Sequence, residues 1–117
     1  MIDLAINVTQ EKNWPVITLK GELDDHQCPK LNQTINKLIE ENGHSQLILD
    51  LCHVSFIDSV GLGTIAIIGK KLSSIQNGQL KLISNQHKIS KMIEISGIVN
   101  ASNQTIQLYS SLDVAVV

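Results

Sequence analysis

Apolar and polar residues alternate over the first stretch of the chain: Ile2, Leu4, Ile6 and Val8 are apolar, with Asp3 and Asn7 between them. A period of two is the mark of a strand with one buried face. Glu11-Lys12-Asn13 makes a polar turn, and Trp14 to Leu19 gives a second strand ending at Gly21, so the pair should form a hairpin. After Gly21-Glu22-Leu23-Asp24-Asp25 the period lengthens. A helix is predicted from about Pro29, whose fixed φ suits a first-turn position. Leu31, Ile35, Leu38 and Ile39 fall on one helical face, and Gly43 is placed to end it.

Leu47-Ile48-Leu49-Asp50-Leu51 is a nearly continuous apolar run, the pattern of a strand buried on both faces in mid-sheet. A loop is expected through Phe56, then a helix from about Ser59 to Gln76, stopped by Asn77-Gly78. This second helix carries Val60, Leu62, Ile65, Ala66, Ile67 and Ile68, more than one stripe. Either it is heavily buried or it presents an apolar patch to a partner. Leu80, Leu82 and Ile83 mark a further strand, and Ile89, Met92, Ile93 and Ile95 a short helix broken by Gly97. Ile106 to Tyr109 mark a last strand, with one or two closing helical turns from Ser110. The order ββαβαβαβ(α) predicts one α/β domain over residues 1–117, with a mixed sheet of about five strands packed against helices.

Composition narrows what such a domain can do. The chain has 117 residues, enough for one core without disulfide or metal staples. All of its nine basic residues are lysines and its net charge is -2, so the basic excess of a nucleic-acid module is missing. Without arginine there is no planar fork for bidentate grip on phosphate or carboxylate. Trp14, Phe56 and Tyr109 are the only aromatics, which makes base-stacking platforms and aromatic sugar sites poor candidates. Cys28 and Cys52 suit neither a disulfide framework nor a zinc knuckle, and the neighbours Cys52 and His53 would point to opposite faces of a strand. The run around Ile65 to Ile68 stops at Gly69-Lys70-Lys71, too short for a membrane span. The chain begins Met1-Ile2-Asp3 with no basic segment before an apolar stretch, so a cytoplasmic location is expected and the Asn-x-Thr sequons at Asn7, Asn32 and Asn103 carry no meaning.

In α/β sheets, sites form beyond the carboxyl ends of parallel strands. Two segments occupy such places: Gly21 to Asp25 and Phe56 to Gly63. In the second, Asp58 or Ser59 can serve as an N-cap. Gly61-x-Gly63-x-x-Ala66 has the spacing of a dinucleotide fingerprint, but no carboxylate ends the next strand at Ile83-Ser84-Asn85, and no Gly-Lys-Ser/Thr makes a phosphate loop. His26, His44, His53 and His87 supply possible bases for Ser59, yet no spacing among them identifies a triad. As a phosphate acceptor, Ser59 would gain about -1.5 to -2 charges at a helix start, beside Asp58 and close to Asp24 if the two segments adjoin.

Asp58-Ser59-x-Gly61-Leu62-Gly63, preceded by Leu49-Asp50-Leu51 and Phe56, resembles the signature of the bacterial anti-sigma factor antagonists, the STAS-domain family. Gly21-Glu22-Leu23-Asp24 is similar to the family's loop after the second strand, and Met92 to Ile98 to its late helix and Ser-Gly segment. The resemblance implies a STAS fold and a partner-switching phosphoprotein with no cofactor and no metal. Ser59 would be phosphorylated by an anti-sigma factor that is a histidine-kinase-like serine kinase, breaking the complex, and a PP2C-type phosphatase would restore it. Asp24, Asp58, Val60, Gly61, Leu62 and Gly63 would form the partner-binding surface, with no direct nucleic-acid or membrane contact. Many members carry a second hydroxyl residue after the acceptor, where this chain has Val60. The alternatives are a constitutive STAS scaffold in another signalling or lipid-transport complex, or a domain with weak nucleotide-binding or NTPase activity.

Overall fold

Five strands, hydrogen-bonded in sequence order, form one sheet in the computed structural model, which describes residues 3–116. The order of elements is β1 (Ala5–Glu11), β2 (Trp14–Leu23), α1 (Cys28–Asn36, continued by a wider turn over Lys37–Glu41), β3 (Gln46–Ile57), α2 (Ser59–Ser73), β4 (Gln79–Ile83), α3 (His87–Ser96), α4 (Ile98–Ala101), β5 (Ile106–Tyr109) and α5 (Leu112–Ala115). β1 and β2 are antiparallel, and every later pair is parallel. Lys12 and Asn13 both take positive φ, 49° and 72°, which is the two-residue primed turn that matches strand twist.

The predicted α/β domain with a mixed five-stranded sheet is the observed fold. Leu47, Ile48 and Leu49 are fully buried, as the continuous apolar run requires of a central strand. Leu47 and Leu49 point into the main core with Leu31 and Ile35 of α1, Ile65, Ile68 and Leu72 of α2, and Ile89 and Ile93 of α3. Ile48 points the other way, into a smaller cluster with Val16, Ile83 and Ala115 of α5. Three helices therefore cover one face of the sheet, while the closing turn packs on the other. Each large aliphatic side chain fully withdrawn from water contributes roughly 1.5–3 kcal/mol before the entropy of ordering is subtracted.

Five expectations change. β2 continues through Gly21 to Leu23. At φ +120° Gly21 adopts a backbone that side-chain-bearing residues avoid, and a Cβ there would sit 3.1 Å from the Asp3 carbonyl oxygen. It bends the strand, with register shifts on either side, instead of ending it. β3 likewise runs to Ile57, where a loop was expected from Cys52: its second half pairs with the extended end of β2, His53 against Lys20 and Ile57 against Leu23. α2 ends at Ser73, short of Gln76, with Lys70 and Lys71 in its last turn. In β1, Leu4 lies buried just ahead of the strand and Ile6 is half-buried, but Val8 is 43% exposed, and Ile2 falls outside the described residues. Ile95 is also outside the core, at 76% exposure.

Candidate functional site

The parallel pairing of β2 and β3 places their carboxyl ends side by side, so the segments that follow them must adjoin. They do, through one side chain. Asp58 follows β3 in an extended conformation (φ -95°, ψ -177°) and is the N-cap of α2, its Oδ1 accepting from the Gly61 N–H at 2.8 Å. Its Oδ2 accepts from the backbone N–H of Asp25 at 3.2 Å. The Asp58 N–H in turn donates to the Leu23 carbonyl at 3.3 Å. A single carboxylate thus starts one helix and ties it to the turn after the neighbouring strand.

Asp24, expected to flank the acceptor if the two segments adjoin, shapes the turn that leads into α1. Its Oδ1 accepts from the N–H groups of His26 and Gln27, both at 3.1 Å. Asp25, which the sequence reading left out of the site, is the residue joined to Asp58. Adjacency of two acidic loops at the ends of parallel neighbours was the available signal for it. His26 lies 3.9 Å from the Asp25 carboxylate, and both are well exposed. It makes no hydrogen bond to Ser59, so the geometry assembles no serine–histidine pair.

Ser59 is the first residue of α2 and is exposed, as is Val60 at 47%. The Asp58 carboxylate and carbonyl engage the N–H groups of Gly61 and Leu62, leaving those of Ser59 and Val60 at the mouth of the helix. Gly61 faces inward: a Cβ there would lie 2.4 Å from the Leu23 carbonyl oxygen, so its bare side lets α2 press against the end of β2. That use of the glycine, inside the first helical turn, also disposes of the dinucleotide spacing, because its open side meets protein backbone. Gly63 is the opposite case. It is exposed and a Cβ would meet nothing within 4 Å.

The apolar surplus of α2 divides in two. Ile65, Ile68 and Leu72 enter the core, whereas Val60 and Ile67, the latter 66% exposed, remain outside with Gly63 on the same side of the helix. Phe56, at the end of β3, is 41% exposed. The surface beside Ser59 is consequently apolar along the helix and acidic toward Asp24, Asp25 and Asp58. Beneath it lies Cys28, 4% exposed. Burial pushes its thiol above the ordinary value, an effect opposed by a hydrogen bond with Thr64 and reinforced by the carboxylates of Asp58, Asp24 and Asp25. It stays protonated and takes the part of a packed apolar residue. Cys52 and His53 are directed to different sides of β3, half-buried and exposed, and no cluster of three metal-ligating side chains occurs among the described residues. No helix there is long and apolar enough to cross a membrane.

Known proteins resemble this chain in sequence and fold. Residues 5–115 match the STAS domain family. The anti-sigma F factor antagonist of Paenibacillus polymyxa is 24% identical over 98 residues, 83% of this chain and 82% of that protein. The crystal structure of an anti-sigma factor antagonist from Mycobacterium paratuberculosis superposes with a TM-score of 0.83 at 26% identity, covering 97% of this chain and 94% of the other. The Bacillus cell fate determinant SpoIIAA, solved in its phosphorylated form, shares the fold with a TM-score of 0.69 at 21% identity, covering 95% and 96%.

Proposed function

The chain belongs to the STAS-domain family, and from that premise we propose that it is an anti-sigma factor antagonist switched by phosphorylation of Ser59. In this reading the unmodified protein binds an anti-sigma factor that is also a serine kinase. Transfer of a phosphoryl group to Ser59 breaks the complex, and a PP2C-type phosphatase resets it. The observation that carries the proposal is Ser59 itself, exposed at the first position of α2 and set between an apolar helix side and three carboxylates. The names of the similar proteins, one of them solved phosphorylated, point the same way.

The chemistry asks little of this chain. The kinase supplies nucleotide, metal and base, while the substrate must offer a hydroxyl that can enter a foreign active site. A serine at the first helical position does so without unwinding anything, because Asp58 and not Ser59 is the cap. The added phosphate would find the helix N-terminus favourable and Asp58 unfavourable. The fold would tolerate it while the docking surface, whose apolar part begins at Val60, would not. Val60 leaves one acceptor at the helix start and dries the neighbouring surface.

Incubation with the serine-kinase anti-sigma factor of the same organism and Mg-ATP should add one phosphate, located at Ser59 by peptide mass spectrometry and lost in Ser59→Ala. Ser59→Asp should weaken that complex at least tenfold by calorimetry with an unchanged circular dichroism spectrum. Phosphate on another residue, or an Asp variant that is folded and binds equally well, would refute the switch and leave a constitutive scaffold.

A further inference from the structure

The two edges of the sheet are unequal. β5, at one edge, has only four residues, a common way of blunting an edge. β1, at the other, has seven, Ala5-Ile6-Asn7-Val8-Thr9-Gln10-Glu11. It contains no lysine, proline, glycine or bulge, and its pairing with β2 is unbroken from end to end. Of the usual protections against edge pairing it carries a single charge, Glu11, at its last position.

Parity settles which backbone groups are free. The two-residue turn makes Glu11 and Trp14 a hydrogen-bonded pair, so Ala5, Asn7, Thr9 and Glu11 direct their N–H and C=O groups at β2. Those of Ile6, Val8 and Gln10 point outward, and no hydrogen bond reaches them among the described residues. Their side chains lie on the helix-covered face, opposite Leu19, Ile17 and Pro15. Here the alternation of the sequence is incompletely satisfied, since Val8 belongs to the face meant for burial yet stands 43% exposed.

We propose that β1 pairs antiparallel with β1 of a second copy of this chain, about a two-fold axis through Val8, joining two sheets into one of ten strands. Val8 is the central residue of the seven, so the pairing is self-complementary. Val8 faces Val8 of the partner copy, Ile6 faces Gln10, and each of these pairs is of the hydrogen-bonded kind, which satisfies all the outward groups at once. On the other face Asn7 meets Thr9, and Ala5 meets Glu11. Glu11 is the strand's one charge, so no like charges are opposed. Beyond Ala5 in the same row lies exposed Lys20. Two strand spacings, roughly 10 Å, separate the backbones of Glu11 of one copy and Lys20 of the other. With only an alanine methyl between them, these long side chains can meet, twice per dimer. A second copy is thereby favoured over an unrelated extended peptide, which has no reason to place an acid at that point. The pairing leaves α2 of both copies uncovered, because α2 packs over β3 and β4.

The test follows from the parity. Sedimentation equilibrium over a wide range of protein concentration should give twice the 12.8 kDa chain mass, falling to the chain mass on dilution. Val8→Lys should be monomeric throughout, and so should Val8→Pro, which removes an outward N–H and none of the bonds to β2, with circular dichroism close to wild type and a thermal midpoint close to that of the dilute, dissociated wild-type chain. Lys20→Glu should weaken the dimer at least several-fold, and adding Glu11→Lys should restore it. A wild-type chain that is monomeric at millimolar concentration overturns the proposal. So does a dimer that survives Val8→Lys and Val8→Pro, since it must use another surface.

Discussion

The two glycines two positions apart in α2 have opposite reasons to be there, and a single methyl group separates them. At Gly61 the methyl would meet the Leu23 carbonyl oxygen at 2.4 Å and the Ile57 side chain at 2.9 Å. Neither α2 nor the end of β2 can give way without loosening the Asp58 cap, so Gly61→Ala should destabilise the protein by about 1–3 kcal/mol. At Gly63 the methyl meets nothing, and glycine in an exposed helix interior is itself unfavourable. Gly63→Ala should therefore stabilise by about 0.5–1 kcal/mol. If Gly63 lies under a docked partner, as proposed, the same methyl holds the two surfaces apart. Urea midpoints of both variants, with partner affinity of the second, check this. A Gly63→Ala protein that is more stable and binds unchanged would remove Gly63 from the docking surface. The sequence alone shows two glycines in a fingerprint spacing. It does not show which one faces a carbonyl, because that carbonyl comes from a strand ending 38 residues earlier.

Among the elements, β3 is where pattern and structure part most clearly. Leu47 to Leu51 was legible because both faces are buried there. Beyond Asp50, the last residue paired with β4, the strand has a neighbour on one side only, and its residues turn polar: His53 and Ser55 are exposed. A polar half-strand looks like a loop in sequence. What replaces β4 is one side chain, Gln86, whose amide nitrogen donates to the Val54 and Cys52 carbonyls at 2.7 and 3.0 Å, with the Leu51 carbonyl further off at 3.4 Å. An amide has two hydrogens, so the first two bonds are the effective ones. Gln86→Ala should cost about 1–2 kcal/mol, the range for bonds whose loss leaves partly buried carbonyls unpaired. Hydrogen exchange should quicken at Val54 to Ile57 while Leu47 to Leu49 stay protected. Equal loss along the whole strand would mean that Gln86 acts on global stability alone. The four-residue α4 and the widened turn of α1 were illegible for another reason: neither is long enough to carry a period. Ser59 and Asp58 were legible because a helix start announces itself by residue type, whereas Asp25, legible as part of the Gly21 to Asp25 segment, is singled out only by its hydrogen bond to Asp58.

For the molecule as a whole, the question is whether the proposed switch acts through its total field or at contact. The net charge is -2, and one phosphate would bring it to about -4. Spread over a surface of 6420 Å² with lysines interspersed, either charge is small, and a field of that size is screened within about 8 Å at physiological salt. Asp58 is the residue next to Ser59, and the N–H of Asp25 is bound to its carboxylate, so the repulsive partners lie well inside that length. Val60 and Ile67 add an apolar border that excludes water once a partner is seated. A charge buried there is costly at any salt concentration, because screening ions cannot enter. The affinity gap between the unmodified chain and its Ser59→Asp variant should then persist as salt rises from about 0.01 to about 1 M, while the Debye length falls from ~30 to ~3 Å. Titration calorimetry across that range measures it. A gap that closes in high salt would mean that the phosphate works at a distance, through the acidic side of the molecule. The absence of arginine fits the contact account, since no guanidinium on this chain can grip the phosphate bidentately once formed. In the proposed switch, a phosphorylated Ser59 that no arginine clamps would stay exposed at the start of α2, where a phosphatase could reach it.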